Sequence, residues 1–207
     1  MYVPTSFAET DLDVLHDFIE QNSFATLVTH RNDEPFASHI PILLDRNQGE
    51  QGQLIGHFAK ANPQSGTATL EKILTIFHGP HAYISPTWYE TGDLVPTWNY
   101  QAVHVYGNYS AIEDPDQLKD ILNQYVHFYE AVQPTPWAMQ AIDPDFIDQL
   151  LKSIVGFTID IERIEGKFKL SQNHPVDRQK KVIHALQQQR NENSQAIATQ
   201  MQAQLTD

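Results

Sequence analysis

The 207 residues are 41% apolar and carry a formal net charge of −13, with 13 Lys and Arg against 26 Asp and Glu. That balance suits one main globular domain and excludes a chain built for wholesale phosphate contact with nucleic acid, which needs a basic footprint. The chain has no cysteine, which removes disulfides, thiolate-held metal clusters and cysteine nucleophiles.

No run approaches the roughly 18 consecutive apolar residues of a membrane span. The opening "MYVPTSFAETDLDVLHDF" has no basic region followed by an apolar one, so a cytoplasmic protein is expected. Thr10 is placed to cap a first helix, with Asp13 three residues on and Leu12, Leu15, Phe18 and Ile19 on one face. "SFATLVTH" and "FASHIPILLD" are β-rich runs flanking "RNDEP", which predicts a hairpin with a four- or five-residue connection. "LIGHFA" follows as a third consecutive antiparallel strand.

After "KANPQSG" a short helix is expected near "TATLEKI", then an extended strand over "LTIFHGPHAYISP" interrupted at Gly79-Pro80. "WYETGDLVPT" reads as a loop, and "VPTWNYQAVHVYG" opens a strand continuing to Ile112. Asp114-Pro115 and Asp143-Pro144 pair an N-cap with a proline at the first helical position, predicting helices over 115–131 and 144–152. "SIVGFTIDIERIEG" alternates as a strand with Val155, Phe157, Ile159 and Ile161 on one side. Pro175 opens a last helix with Val182, Ile183 and Leu186 as its apolar strip, and the Gln-rich tail beyond 187 predicts a marginal helix or frayed end.

The resulting expectation is a mainly β protein with peripheral helices, built as a small antiparallel barrel. Residues 1–175 form the barrel domain with N-terminal and inserted helices, and residues 176–207 a C-terminal helical tail.

Charge is unevenly placed. Seven of the 13 basic residues fall between Arg163 and Arg190, and none lies between Lys72 and Lys119. In "GHFAKANPQ", Lys60 offers a point charge suited to a phosphate, and Asn62 and Gln64 add neutral donors, although the spacing is not a P-loop and an ordinary surface turn has the same composition. Ser38 and His39 sit on an otherwise apolar strand, either as ligand contacts or as a satisfied core pair. His39, His57, His78, His81 and His104 form no compact metal-ligand motif, so no protein-ligated metal is assigned; a haem on one axial histidine is not constrained by spacing. No nucleophile elbow occurs.

Seven of 21 aromatics lie between Tyr83 and Tyr109, all Trp or Tyr, a composition of pocket walls and interfaces alike. In "EGKFKLSQNHP", alternation puts Lys167, Lys169 and Ser171 on one strand face, with Gln172 and Asn173 at the exit turn.

Taken together, "ETDL", "SFATLVT", "SHIPILLD", "GHFAKANPQ", "GPHAYISPTWY", "VPTWNYQAVHVYG" and "EGKFKLSQNHP" resemble the PaiB family of FMN-binding negative transcriptional regulators across residues 1 to 190. The resemblance implies an antiparallel FMN-binding split β-barrel related to pyridoxamine-phosphate-oxidase-like proteins, assembled as a homodimer with flavin sites near the subunit interface. It implies Lys60 and Asn62 as ligands of the FMN phosphate with Ser38 and His39 beside them, and His57 and Gln64 from the same strand block. Trp98 and Asn99 would border the ring or ribityl chain, and Lys169, Ser171 and Gln172 would reach a site from the partner subunit. Three functions follow from such a fold: a flavin-binding regulator using FMN as ligand or redox sensor, an FMN-dependent oxidoreductase, or a haem-binding protein on the same barrel. No catalytic residue is assigned, no helix-turn-helix is recognisable, and the basic 163–190 region is a weak candidate for DNA contact.

Overall fold

The computed structural model describes residues 1–68, 70–89 and 94–205. Among these, β1 (Ala8–Glu9) precedes helix α1 (Leu12–Gln21), followed by β2 (Phe24–Arg31), β3 (Glu34–Pro41), β4 (Leu43–Asp45), β5 (Gln53–Ala59), β6 (Lys72–Ile84) and β7 (Thr97–Ile112). Helices α2 (Pro115–Glu130) and α3 (Pro144–Leu151) then lead to β8 (Ile154–Lys169), and α4 (Val176–Gln187) and α5 (Glu192–Gln204) close the described chain. The strands join in one sheet in the order β3-β2-β6-β7-β8-β5-β4, with β1 on β8. Pairs with assigned register, β2 with β3 and β6, β4 with β5, β5 with β8 and β1 with β8, are antiparallel.

Two compact units divide the chain. One holds Met1–Phe18, Phe77–His104 and Glu165–Asp207; the other holds Ile19–Ile76 and Val105–Ile164. In the second unit the core is built from inward residues of strands patterned with period two. Leu27, Leu54, Phe157, Ile159, Val105 and Tyr109 are all 0% exposed. The Phe58 and Phe157 rings stack with centroids 4.6 Å apart. Gly56, register partner of Phe157, must be glycine: a Cβ there would lie 2.2 Å from the Phe157 ring tip. Leu43, Ile55, Ile121 and Tyr125 cluster where α2 covers β4 and β5.

In the first unit Phe18 of α1 meets Phe168 at 5.2 Å. A Cβ on Gly79 would sit 2.7 Å from the Phe18 ring, so this glycine admits α1 and does not end the strand. The expected break at Gly79-Pro80 is absent, and β6 runs unbroken for 13 residues. Helices α4 and α5 pack on each other. Val182, Ile183 and Leu186 are buried as expected, and the tail forms a complete helix in which Ile197, Ala198 and Met201 are 0–1% exposed. Small and flexible apolar residues suffice there because α4 supplies the other half of the core.

Other local expectations shift for identifiable reasons. Helix α1 is capped by Asp11, whose Oδ1 accepts from Asp13 N at 2.9 Å and Val14 N at 3.2 Å; the start lies one residue later than a Thr10 cap allows. The first hairpin closes through only two residues, Asn32 and Asp33, with φ of 50° and 62°, values that match a type I′ turn. The run over 36–45 divides into β3, which pairs with β2, and β4, which pairs antiparallel with β5, so the third run does pair with the one before it, but only through β4, and its other neighbour is β8. No helix forms near Thr67–Ile73: Leu70 has φ +67°, its N–H donates to Tyr109 O, and Tyr109 N–H donates to Glu71 O, so the segment feeds directly into β6; Thr69 itself lies outside the described residues. The expected loop over 88–97 includes residues 90–93, also outside the description, and begins with a 3₁₀ turn at Pro86–Tyr89.

The hairpin turn yields a prediction. Replacing Asp33 by valine puts a β-branched side chain at positive φ and is expected to cost about 1–2 kcal/mol, whereas Asp33→Gly holds or raises stability. Urea denaturation midpoints of the two variants check this.

Candidate functional site

The first group of residues singled out by the sequence gathers where β5 ends, in the second unit. Asn62 caps the 3₁₀ turn Pro63–Gly66, its Oδ1 accepting from Gln64 N at 2.9 Å, while its Nδ2 donates to Ser38 Oγ at 2.9 Å. One carboxamide thus ties the β5 exit to β3. Ser38 is used as an acceptor, which leaves its own hydroxyl proton to give. Next to it His39 is exposed, with Nδ1 2.9 Å from Thr26 Oγ1, and its second ring nitrogen is turned away from that bond.

Lys60 is anchored by its backbone, N–H to Ser153 O at 2.7 Å, and its exposed side chain lines a cleft of about 470 Å³ with Glu113, Asp116, Asp148 and Lys152. Gln64 is different. It is 1% exposed, and its Nε2 donates to Thr29 Oγ1 at 3.0 Å and to Leu27 O and Phe36 O at 3.3 Å. It braces β2 and β3, with only its Oε1 buried and unpaired. His57 packs edge-on against Tyr125 at 5.2 Å, and the Tyr125 hydroxyl lies 2.7 Å from Pro41 O and 3.0 Å from Ile55 O. Burial holds the His57 imidazole below its ordinary value and pushes the Tyr125 phenol up.

The second group lies in the first unit, where β7 begins and β8 ends. Asn99 is fully buried; its Nδ2 donates to Ser171 Oγ at 2.9 Å, and Ser171 Oγ donates back to Asn99 Oδ1 at 3.2 Å. Met201 Sδ, 3.4 Å from the same Nδ2, brings α5 into the junction. The strand-face expectation for Ser171 does not hold. β8 stops at Lys169, and Ser171 turns with φ +66° into the interior at 2% exposure. Gln172 also folds inward, its Oε1 accepting from Leu170 N at 2.7 Å and its Nε2 donating to Phe168 O.

The lysines keep their shared face. Lys169 Nζ donates to Thr97 Oγ1 and Trp98 O, both at 2.6 Å, which leaves a third N–H. Burial, and then the charge of Lys167, lower its affinity for the proton. Lys167 is 9% exposed, donates to Tyr2 O at 3.1 Å and lies over the rings of Tyr100 at 5.3 Å and Tyr2 at 5.5 Å. Two ammonium groups are therefore held by neutral oxygens and ring faces. Trp98 is 52% exposed, edge-on to Tyr83 at 5.9 Å.

Sequence reasoning did not single out Lys167 with its tyrosine neighbours, or Thr97 as the Lys169 partner. Tyr2, Tyr100 and Lys167 are too far apart in the chain for spacing to reveal them; only the like-charged Lys-x-Lys alternation pointed that way.

Residues 1–163 match the family described as "Putative FMN-binding domain". The chain belongs to this family. It is 39% identical over 206 residues to the Bacillus subtilis "Protease synthase and sporulation protein PAI 2", covering 99% of this chain and 98% of that one, which places it among the PaiB proteins. An uncharacterised Aspergillus fumigatus protein is 31% identical across 96% of this chain and 95% of its own. Among solved structures, the Azotobacter vinelandii flavocytochrome Anf3 superposes with a TM-score of 0.57 at 13% identity, covering 78% of this chain and 69% of that one. A FAD and haem binding protein from Mycobacterium smegmatis gives 0.57 at 12%, covering 83% and 78%. These likenesses establish the split-barrel fold of flavin-binding proteins.

Two predictions come from the buried groups. Gln64→Leu strips Thr29 Oγ1 and two carbonyls of their donor and is expected to destabilise by about 1–3 kcal/mol, read from the denaturation midpoint. His57 has a folded-state pKa below its ordinary 6.5. Above that value both states are neutral and its contribution is fully present; as pH falls through it the unfolded chain takes the proton first, so stability declines toward the lower folded value. Denaturation midpoints between about pH 7 and pH 5 should fall less steeply in His57→Phe.

Proposed function

We propose that this PaiB protein is a flavin-dependent regulator whose FMN phosphate is held by Lys60 with the Ser38 hydroxyl and Asn62 beside it. The single observation that carries the reading is the Asn62 link between the β5 exit and Ser38, which sets a hydroxyl donor next to the Lys60 turn inside the family-matched region. An FMN phosphate of about two negative charges calls for cationic and neutral donors; Lys60 and the Ser38 hydroxyl are of that kind, and the Lys60 ammonium would turn to the phosphate from the cleft it now lines with Glu113, Asp116 and Asp148. When bound, FMN supplies a redox-active, light-absorbing isoalloxazine.

The roles of the remaining residues divide by what they already hold. His39 offers a ring nitrogen from the other face of β3, on the side of Thr26, and Trp98 offers an aromatic border to the ring. Gln64, His57, Asn99, Ser171 and Gln172 shape and stiffen these positions through the hydrogen bonds and packing they make within the protein. In the homodimer expected for the family, Lys169, Ser171 and Gln172 are the residues offered to the partner's flavin.

The regulatory role is supported by the 39% identity to PAI 2, whose name ties that protein to protease synthesis and sporulation. Regulation through direct DNA contact is less well supported. Although α4 and α5 are joined by a short connection, α5 carries Glu192 and no Lys or Arg, so it lacks the basic character of a recognition helix.

Lys60→Ala is expected to weaken FMN binding about tenfold to a hundredfold, the loss of one charge-assisted contact, with riboflavin binding little changed. Equilibrium dialysis followed by flavin fluorescence measures both. Unchanged FMN affinity would remove Lys60 from the site.

A further inference from the structure

The first unit holds a cleft of about 370 Å³, within the size range of small-molecule sites. One wall is aromatic: Tyr83 from β6, Trp88 from the 3₁₀ turn and Trp98 from β7. Tyr83 and Trp98 are 45% and 52% exposed, an unusual amount of free ring surface. The remaining polar lining is three carboxamides, Gln189, Asn191 and Asn193, with His81 and Ser194, and among the described residues no Lys, Arg, Asp or Glu lines the space. Asn191 spends its oxygen on capping α5, accepting from Ser194 N at 3.2 Å, and its amide hydrogens are left to donate. Aromatic rings and side-chain amides lining one space suit a flat, uncharged heterocycle whose edge carries donors and acceptors side by side. A carboxamide reads the N6/N7 edge of adenine in this way, and Trp and Tyr stack on bases of any sequence.

Trp88 also lines a second cleft, of about 440 Å³, whose other lining residues include Lys180, Lys181 and His184 on the exposed side of α4. The two clefts share one indole as lining. In a chain of net charge −13, a cationic patch beside an aromatic slot without Lys, Arg, Asp or Glu is complementary to a ligand with a neutral ring at one end and phosphate at the other. The carboxamides and lysines all lie beyond residue 163, where the match to the FMN-binding family ends.

We propose that this double cleft binds a purine nucleotide, the adenine ring between Tyr83, Trp88 and the amides of the α4–α5 connection, and the phosphates on Lys180 and Lys181. The proposal goes beyond the flavin reading and shares only Trp98 with it, so its test relies on other residues.

Isothermal titration of the full-length protein, loaded with FMN, compares ADP with adenosine. ADP is expected to bind in the range of about 10–100 µM, with adenosine about tenfold weaker. Replacing Lys180 and Lys181 together by alanine should bring ADP to the affinity of adenosine and leave adenosine unchanged, while Tyr83→Ala should weaken both about tenfold. Flavin content, read from absorbance in the same samples, should be the same in all variants. No ADP binding up to about 1 mM, affinities unmoved by either variant, or binding of a short single-stranded oligonucleotide in place of ADP would overturn the proposal. Displacement of FMN by ADP would also overturn it, since the cleft would then be the flavin's own; loss of FMN from the wild type alone would count against the flavin reading and leave the ADP comparison intact.

Discussion

Strand β8 is the constraint on which the rest of the fold depends. Its backbone groups, like any that are buried, must be paired, and they are paired with β7, with β5 along Ile154–Ala59 to Asp160–Gln53, and with β1 at Gly166 and Lys167. That single strand therefore passes through both compact units. Its first half contributes Phe157 and Ile159 to one core, and its last residues set Phe168 against Phe18 and hold the two lysines. Changing its register by one residue would exchange the buried and exposed faces along its length, displacing the ring packing of one unit and the cationic group of the other together.

Within this frame the polar residues fall into two chemical classes. Some have used their hydrogen-bonding capacity internally: Gln64 on β2 and β3, Asn99 and Ser171 on each other, Gln172 on the β8 exit. Their value is positional, because a side chain locked by packing and hydrogen bonds holds its neighbours to a narrow range of geometry. Others retain donors that face outward, chief among them Lys60 and Lys169. A ligand-binding site needs both classes, and here each outward donor lies within four residues of an inward brace, Lys60 of Gln64 and Lys169 of Ser171. The burial of Lys167 and Lys169 without carboxylate partners in their recorded bonds keeps positive charge concentrated in an otherwise acidic chain, where an anion would be drawn to it.

The match to the FMN-binding family covers residues 1–163, and the paired helices α4 and α5 follow it. Because α5 is weakly apolar and short of charge, it folds by packing on α4 through Ile197, Ala198 and Met201, and its N-terminal connection is thereby fixed against the aromatic rim of β6 and β7. A segment whose composition suggests a loose tail becomes one wall of a cleft.

Much of the fold was legible in the residues themselves. Alternation identified β2, β5, β7 and β8, and the Asp-Pro pairs located α2 and α3 within a residue, because period-two patterning and capping chemistry are local properties. The seven motif blocks identified the family and with it the flavin. What sequence left undetermined depended on contacts between distant segments: that Gly79 makes room for Phe18, that Gln64 is a brace and Lys169 still has an N–H to give, and that Ser171 turns inward to meet Asn99. Spacing along the chain fixes which faces are apolar, but only the folded structure decides which polar atoms find partners and which remain for a ligand, since that depends on distances between residues from 28 to 72 positions apart and on the water that packing excludes.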